Sequence, residues 1–181
     1  MTNSTQKMNR IAATALVAAI AYLSMFLTPF RVDFLTFDIK DAVMTIGALY
    51  LGPLAGLAMS AVTALLEMIT ISQTGIDGMI MNFVGSATYT VVASLVYTYR
   101  KSLKTAVLGL LSATLAMTAV MVPLNIVFTG IFLGQGAKAV AELLIPAIIP
   151  FNLLKACINS AATVAIFTPT AKILKRYTDG L

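Results

Sequence analysis

Residues 11–27 read IAATALVAAIAYLSMFL, an apolar run interrupted only by Thr14 and Ser24. Comparable runs recur along the chain, joined by short polar connections. In lipid, a backbone satisfies its own polar groups only as a helix or a closed barrel. About 20 apolar residues suffice for one helical crossing. Composition points the same way: 59% of residues are hydrophobic and 10% are charged, where a soluble domain has about 25% charged. The expected fold is an all-α integral membrane protein, a compact bundle of six transmembrane helices forming a single membrane domain, 1–181. The helices are expected at about 10–27, 39–51, 53–71, 79–99, 105–129 and 144–171. The first run is longer than a signal peptide's core of about 7–15 residues and ends on bulky Met25-Phe26-Leu27, so it reads as a retained helix.

The connections carry the charge. Residues 28–41, TPFRVDFLTFDIKD, alternate charged and apolar positions, which suggests an extended segment with aromatic residues at the membrane interface. Pro53 suits a helix start, where the first amides have no internal partner. Residues 72–78 read as a polar turn, and 130–142, with glycines at 130, 134 and 136, as a loop. If the N-terminus is cytoplasmic, eight basic residues fall inside: Lys7, Arg10, Arg100, Lys101, Lys104, Lys172, Lys175 and Arg176. Three (Arg31, Lys40 and Lys138) fall outside. This asymmetry predicts both termini in the cytoplasm, and it accounts for the net charge of +5 without invoking nucleic acid.

With no histidine and only Cys157, the chain lacks a Ser–His or Cys–His catalytic pair, a His/Cys metal site and an internal disulfide. It also lacks the G-x-x-x-x-G-K-[ST] phosphate loop. An enzyme is therefore not expected, nor a metal or a resident cofactor. The strongest positive signal is Lys155, in PFNLLKACINS. A lysine inside a membrane costs a few kcal/mol, and such residues tend to serve function. Asn152 and Asn159 share its helical face, and Asp38 or Glu67 is its candidate counter-ion. With Asn125 and Asn82, these groups suggest a pocket for an uncharged or weakly acidic polar ligand, with Phe34, Phe37 and nearby methionines as walls. Ala12, Ala15 and Ala19 form a small-residue stripe that permits close contact with another helix.

Several segments together carry a family resemblance: ATALVAAIAYLSM in the first helix, FLTFDIKDAVMTIGALYLGPLAGL across the second and third, Thr74–Asn82, and PFNLLKACIN. The chain resembles the substrate-binding S components of energy-coupling factor (ECF) vitamin transporters, most closely the riboflavin type. The resemblance implies a high-affinity vitamin-binding subunit in the plasma membrane of a prokaryote. It would work with a transmembrane coupling subunit and two cytoplasmic ATPases, and tilt in the membrane to deliver its ligand. It implies ligand contacts at Asn125, Asn152 and Lys155, with backbone groups from Leu35, Thr36 and Phe37, and docking of the coupling subunit at Ala15 and Ala19. Riboflavin would be the transported ligand, not a cofactor. Pyridoxine, pantothenate and hydroxymethylpyrimidine are alternative ligands on the same scaffold. A small autonomous secondary transporter or a membrane protein without a solute are readings of other classes.

Overall fold

The apolar runs pair their backbone groups internally, and the computed structural model of the chain is helical almost throughout. It describes residues 3–26, 30–32, 35–132, 134 and 136–178, with the backbone alone at 3, 30–32, 35–36 and 172–178. Helix α1 spans Asn3–Ser24, α2 Lys40–Leu51, α3 Pro53–Thr70 and α4 Gly75–Arg100. Helix α5 runs from Leu103–Leu124 through a π-helical turn, Asn125–Thr129, into Gly130–Phe132. Helix α6 begins as Ala137–Leu143, passes through a second π-helical turn, Leu144–Ile148, and continues as Ile149–Thr178. Among the described residues, four helices are long and apolar enough to cross a membrane: Pro53–Thr70, Gly75–Arg100, Leu103–Phe132 and Ala137–Ala171.

Between α1 and α2, strands β1 (Phe30–Val32) and β2 (Leu35–Phe37) form an antiparallel hairpin in which Phe30 faces Phe37 and Val32 faces Leu35. The alternation of 28–41 therefore does mark extended backbone. The expected loop 130–142 is mostly helix. A turn at Gly134, whose φ is +62°, takes up the glycine signal, and the good helix formers of Ala137–Leu143 start α6 early. Two other starts also fall earlier than expected. The polar residues from Asn3 onward extend α1 beyond its apolar run, and α4 begins at Gly75 with Asp77 in its first turn, a favourable place for a negative charge.

Helix α2 is short, about 18 Å at 1.5 Å per residue, yet it is the most enclosed. It contacts α1, α3, α4 and α6, and Ala42, Met44, Ala48 and Leu49 are buried within it. The α1–α2–α3 side is sealed by Ala18, Ala21, Met44, Ala48, Ala55 and Met59. The other side, α4–α5–α6, is sealed by Tyr89, Ala93, Leu110, Ala113, Met117 and Ala156. Small residues let the backbones approach closely: a Cβ placed on Gly109 would lie 2.6 Å from the Ala93 carbonyl oxygen. Gly52, at φ +90°, turns the chain from α2 into α3, and the Arg10 guanidinium donates to the Leu51 carbonyl at this corner.

One count from the sequence changes. Lys40 is not a loop charge but the first residue of α2, 1% exposed. Of the three basic residues expected outside, Arg31 and Lys138 remain. Ser102 caps the start of α5 and Gly136 follows its far end. Single cysteines at 102 and 136, introduced in a Cys157→Ala background because Cys157 is exposed, should label from opposite sides of the membrane, with 102 on the cytoplasmic side. Labelling of both from one side would contradict the arrangement.

Candidate ligand-binding chamber

Buried charge in a membrane bundle must be paired, and here five ionisable side chains gather at one level. Asp38, Lys40, Asp41, Glu67 and Lys155 are each at most 7% exposed. Lys155 Nζ donates to Asp38 Oδ2 at 3.1 Å. Lys40 Nζ lies 3.9 Å from the same oxygen and donates to Glu67 Oε2 at 2.6 Å. The other Glu67 oxygen accepts from Asn82 Nδ2 at 2.8 Å, and Asp41 accepts from the Ser86 hydroxyl at 2.5 Å. Asn159 joins the cluster to the backbone. Its Oδ1 accepts from the Ala42 amide at 2.8 Å, and its Nδ2 donates to the carbonyls of Asp38 and Lys155, each at 3.0 Å. One network thus fastens the exit of the hairpin, α2, α3, α4 and α6 to each other.

A cavity of about 380 Å³ opens against this network. Its polar lining includes Asp41, Glu67, Ser72, Thr74, Asp77, Asn82, Ser86, Asn125, Asn152 and Lys155, and its apolar walls are Met81, Met117, Met121, Phe128, Phe132 and Phe151. This is the usual make-up of a small-molecule site: apolar walls with a few convergent polar groups, at about 300–1,000 Å³. Three methionines give a polarizable surface that adapts to a flat ring.

The structure brings together the expected residues Asn125, Asn152 and Lys155 on the lining. Each asparagine follows a proline by two positions, in Pro123-Leu124-Asn125 and Pro150-Phe151-Asn152. A proline cannot donate to the carbonyl four residues earlier, which loosens the helix locally, and π-helical turns lie beside both motifs. Asn125 Nδ2 donates to the Met121 carbonyl and Asn152 Nδ2 to the Ile148 carbonyl, both at 2.8 Å. Asn125 Oδ1 accepts from Thr129 at 3.0 Å. The repeated P-x-N pattern is a signal in the sequence that reasoning from charge alone passes over.

The expected walls differ. Phe34 lies outside the described residues, as do the side chains of Leu35 and Thr36, while Phe37 is half-buried and is not among the lining residues. The aromatic walls come instead from Phe128, Phe132 and Phe151 of α5 and α6. Lys40 and Asp41, read with the charged segment 28–41 although the expected helix 39–51 includes them, belong to the buried ionic network. Of the two candidate counter-ions for Lys155, Asp38 is the partner. Among the described residues, no group of His, Cys, Asp and Glu side chains is arranged to hold a metal. On α1, Ala12, Ala15 and Ala19 are exposed while Ala18 and Ala21 are buried, so the small-residue stripe is not used within the bundle.

A membrane bundle with an enclosed polar chamber defines a solute-binding membrane protein. Residues 9–167 match the family model described as "ECF transporter, substrate-specific component". The chain belongs to that family and is the substrate-binding subunit of an ECF transporter. It is 29% identical over 180 residues to the riboflavin transporter RibU of Staphylococcus aureus (strain TCH60), covering 94% of this chain and 95% of the relative. It is also 29% identical over 174 residues to the riboflavin transporter FmnP of Bacillus subtilis (strain 168), covering 89% and 91%. A solved structure reported under the words "Structure and mechanism of the S component of a bacterial ECF transporter" superposes with a TM-score of 0.78 at 28% identity, covering 93% of this chain and 99% of that one.

Asp38 holds two buried ammonium groups, and removing one partner of a buried ion pair costs about 3–5 kcal/mol. Asp38→Asn should therefore lower the thermal unfolding midpoint of the detergent-purified, ligand-free protein. An unchanged midpoint would mean that the two lysines do not depend on it.

Proposed function

We propose that this protein binds riboflavin from outside the cell and passes it inward through a transmembrane coupling subunit driven by two cytoplasmic ATPases. The observation that carries the ligand is the chamber itself, where Asn125, Asn152 and Lys155 converge between methionine and phenylalanine walls. Riboflavin presents a large flat ring with carbonyl and ring-nitrogen acceptors, an imide N–H and a hydroxylated side chain. Amide side chains both donate and accept, and an ammonium group donates to carbonyl or hydroxyl oxygens. The relatives named as riboflavin transporters support the same reading across nearly the whole chain.

The chamber argues against the alternatives on the same scaffold. Its ionisable lining is Asp41, Glu67, Asp77 and Lys155, three acids to one base, a poor environment for the carboxylate of pantothenate. Pyridoxine and hydroxymethylpyrimidine have a single ring each and would leave much of a 380 Å³ cavity unfilled. The chain has no phosphate loop of its own, so ATP hydrolysis belongs to partners, and the subunit binds its solute without chemically changing it. The surplus of inner basic residues supports six crossings of the cell membrane with both termini cytoplasmic.

Isothermal titration with riboflavin, beside pyridoxine and pantothenate, tests the ligand. Asn152→Ala should weaken binding by about 1–2 kcal/mol and Lys155→Ala by about 1.5–3 kcal/mol, since a charged donor contributes more than a neutral one. Because Lys155 also pairs with Asp38, Lys155→Ala should in addition destabilise the ligand-free protein, and by more than Asn152→Ala, which loses only the neutral bond to the Ile148 carbonyl. Absence of riboflavin binding to the wild type would refute the ligand, and unchanged affinity in Lys155→Ala would refute the site.

The exposed Ala15 and Ala19 support docking of the coupling subunit on α1. Ala15→Leu or Ala19→Leu should reduce co-purification of the coupling subunit and leave riboflavin affinity within about twofold, as expected for sites that share no partners. Equal loss of both properties would make this face part of the bundle's own packing.

A further inference from the structure

Two groups on the chamber lining, the Glu67 carboxylate and the Lys155 ammonium, are both anchored through a residue that does not line it. Lys40 is 1% exposed and is not among the lining residues. Its Nζ donates to Glu67 Oε2 at 2.6 Å and lies 3.9 Å from Asp38 Oδ2, the oxygen that accepts from Lys155. Its backbone amide donates to the other Asp38 oxygen at 3.2 Å. We propose that Lys40 is a positioning residue for the ligand: by holding the Glu67 carboxylate against α2, it keeps that carboxylate from competing with the ligand for Lys155.

The physical reason lies in the surroundings of Glu67. Apart from Lys40, its hydrogen-bond partner is the neutral amide of Asn82. Lys40 from α2 is the charged group in contact with it; Asp38, just before α2, lies on the other side of Lys40, and Asp41 from α2, Asp77 from α4 and Lys155 from α6 share the cavity lining with it. Lys155 is the one cation among the lining residues described. Without the Lys40 ammonium, a carboxylate in a low-dielectric cavity gains most by turning to the remaining cation. That cation is the donor proposed for the ligand, so the inference rests on the riboflavin reading.

The test compares riboflavin affinity, by titration calorimetry on the purified full-length protein, for wild type, Lys40→Met, Glu67→Gln and the double variant. Lys40→Met should weaken binding about tenfold or more, and adding Glu67→Gln should return affinity to within about threefold of Glu67→Gln alone, as expected of groups in one ionic network. A Lys40→Met protein that binds like wild type, or a double variant no better than Lys40→Met, would overturn the proposal. If Lys40→Met does not fold, the comparison of the double variant with Glu67→Gln carries the test: similar affinities support the proposal and a much weaker double variant overturns it. A wild type that binds no riboflavin would refute the proposed function and this inference with it, and the wild-type control alone reveals that case.

Discussion

Asp38 joins two buried lysines, and most of the interior depends on that junction. A charge inside a membrane protein is costly alone and tolerable only when paired and hydrogen-bonded. The partners here come from separate parts of the chain: Lys40 from α2, Glu67 from α3, Asn82 and Ser86 from α4, Lys155 and Asn159 from α6. Pairing is possible only when all of these segments meet at one level. Close packing of small and apolar side chains encloses α2, but it does not specify register as narrowly as these ionic contacts do.

The chamber follows from the same arrangement. Prolines at 123 and 150 loosen α5 and α6 near the level of the network, and the P-x-N motifs turn Asn125 and Asn152 into lining residues. Methionines from α4 and α5 and phenylalanines from α5 and α6 complete the walls. Large apolar side chains cover the outside, Leu54, Ile69, Leu115 and Ile145 among them, as a lipid-facing surface requires. A polar network and chamber thus sit inside an apolar exterior, and Ala12, Ala15 and Ala19 of α1 are exposed on that exterior.

Much of this was legible in the residues. Apolar runs announced the helices, alternation at 28–41 announced extended backbone before α2, and Lys155 among Asn152 and Asn159 announced the polar face of α6. What was not legible depends on three-dimensional convergence. Lys40 and Asp41 fall within the expected helix 39–51 but continue a charged segment, and nothing local reveals that they turn inward against Glu67 and Ser86. Glycines at 130, 134 and 136 suggested a long loop, yet only a short turn is needed because the following residues are strong helix formers. The aromatic walls were expected from the segment before α2 and are supplied instead by Phe128, Phe132 and Phe151 of α5 and α6.

The central claim is that the chamber holds one flavin. Its most direct test is the visible absorption spectrum and mass spectrometry of the small molecule that co-purifies with the protein from cells supplied with riboflavin. The account predicts a yellow preparation containing one riboflavin per chain. A colourless preparation that takes up no flavin when riboflavin is added, or one carrying a different vitamin in its place, would contradict it.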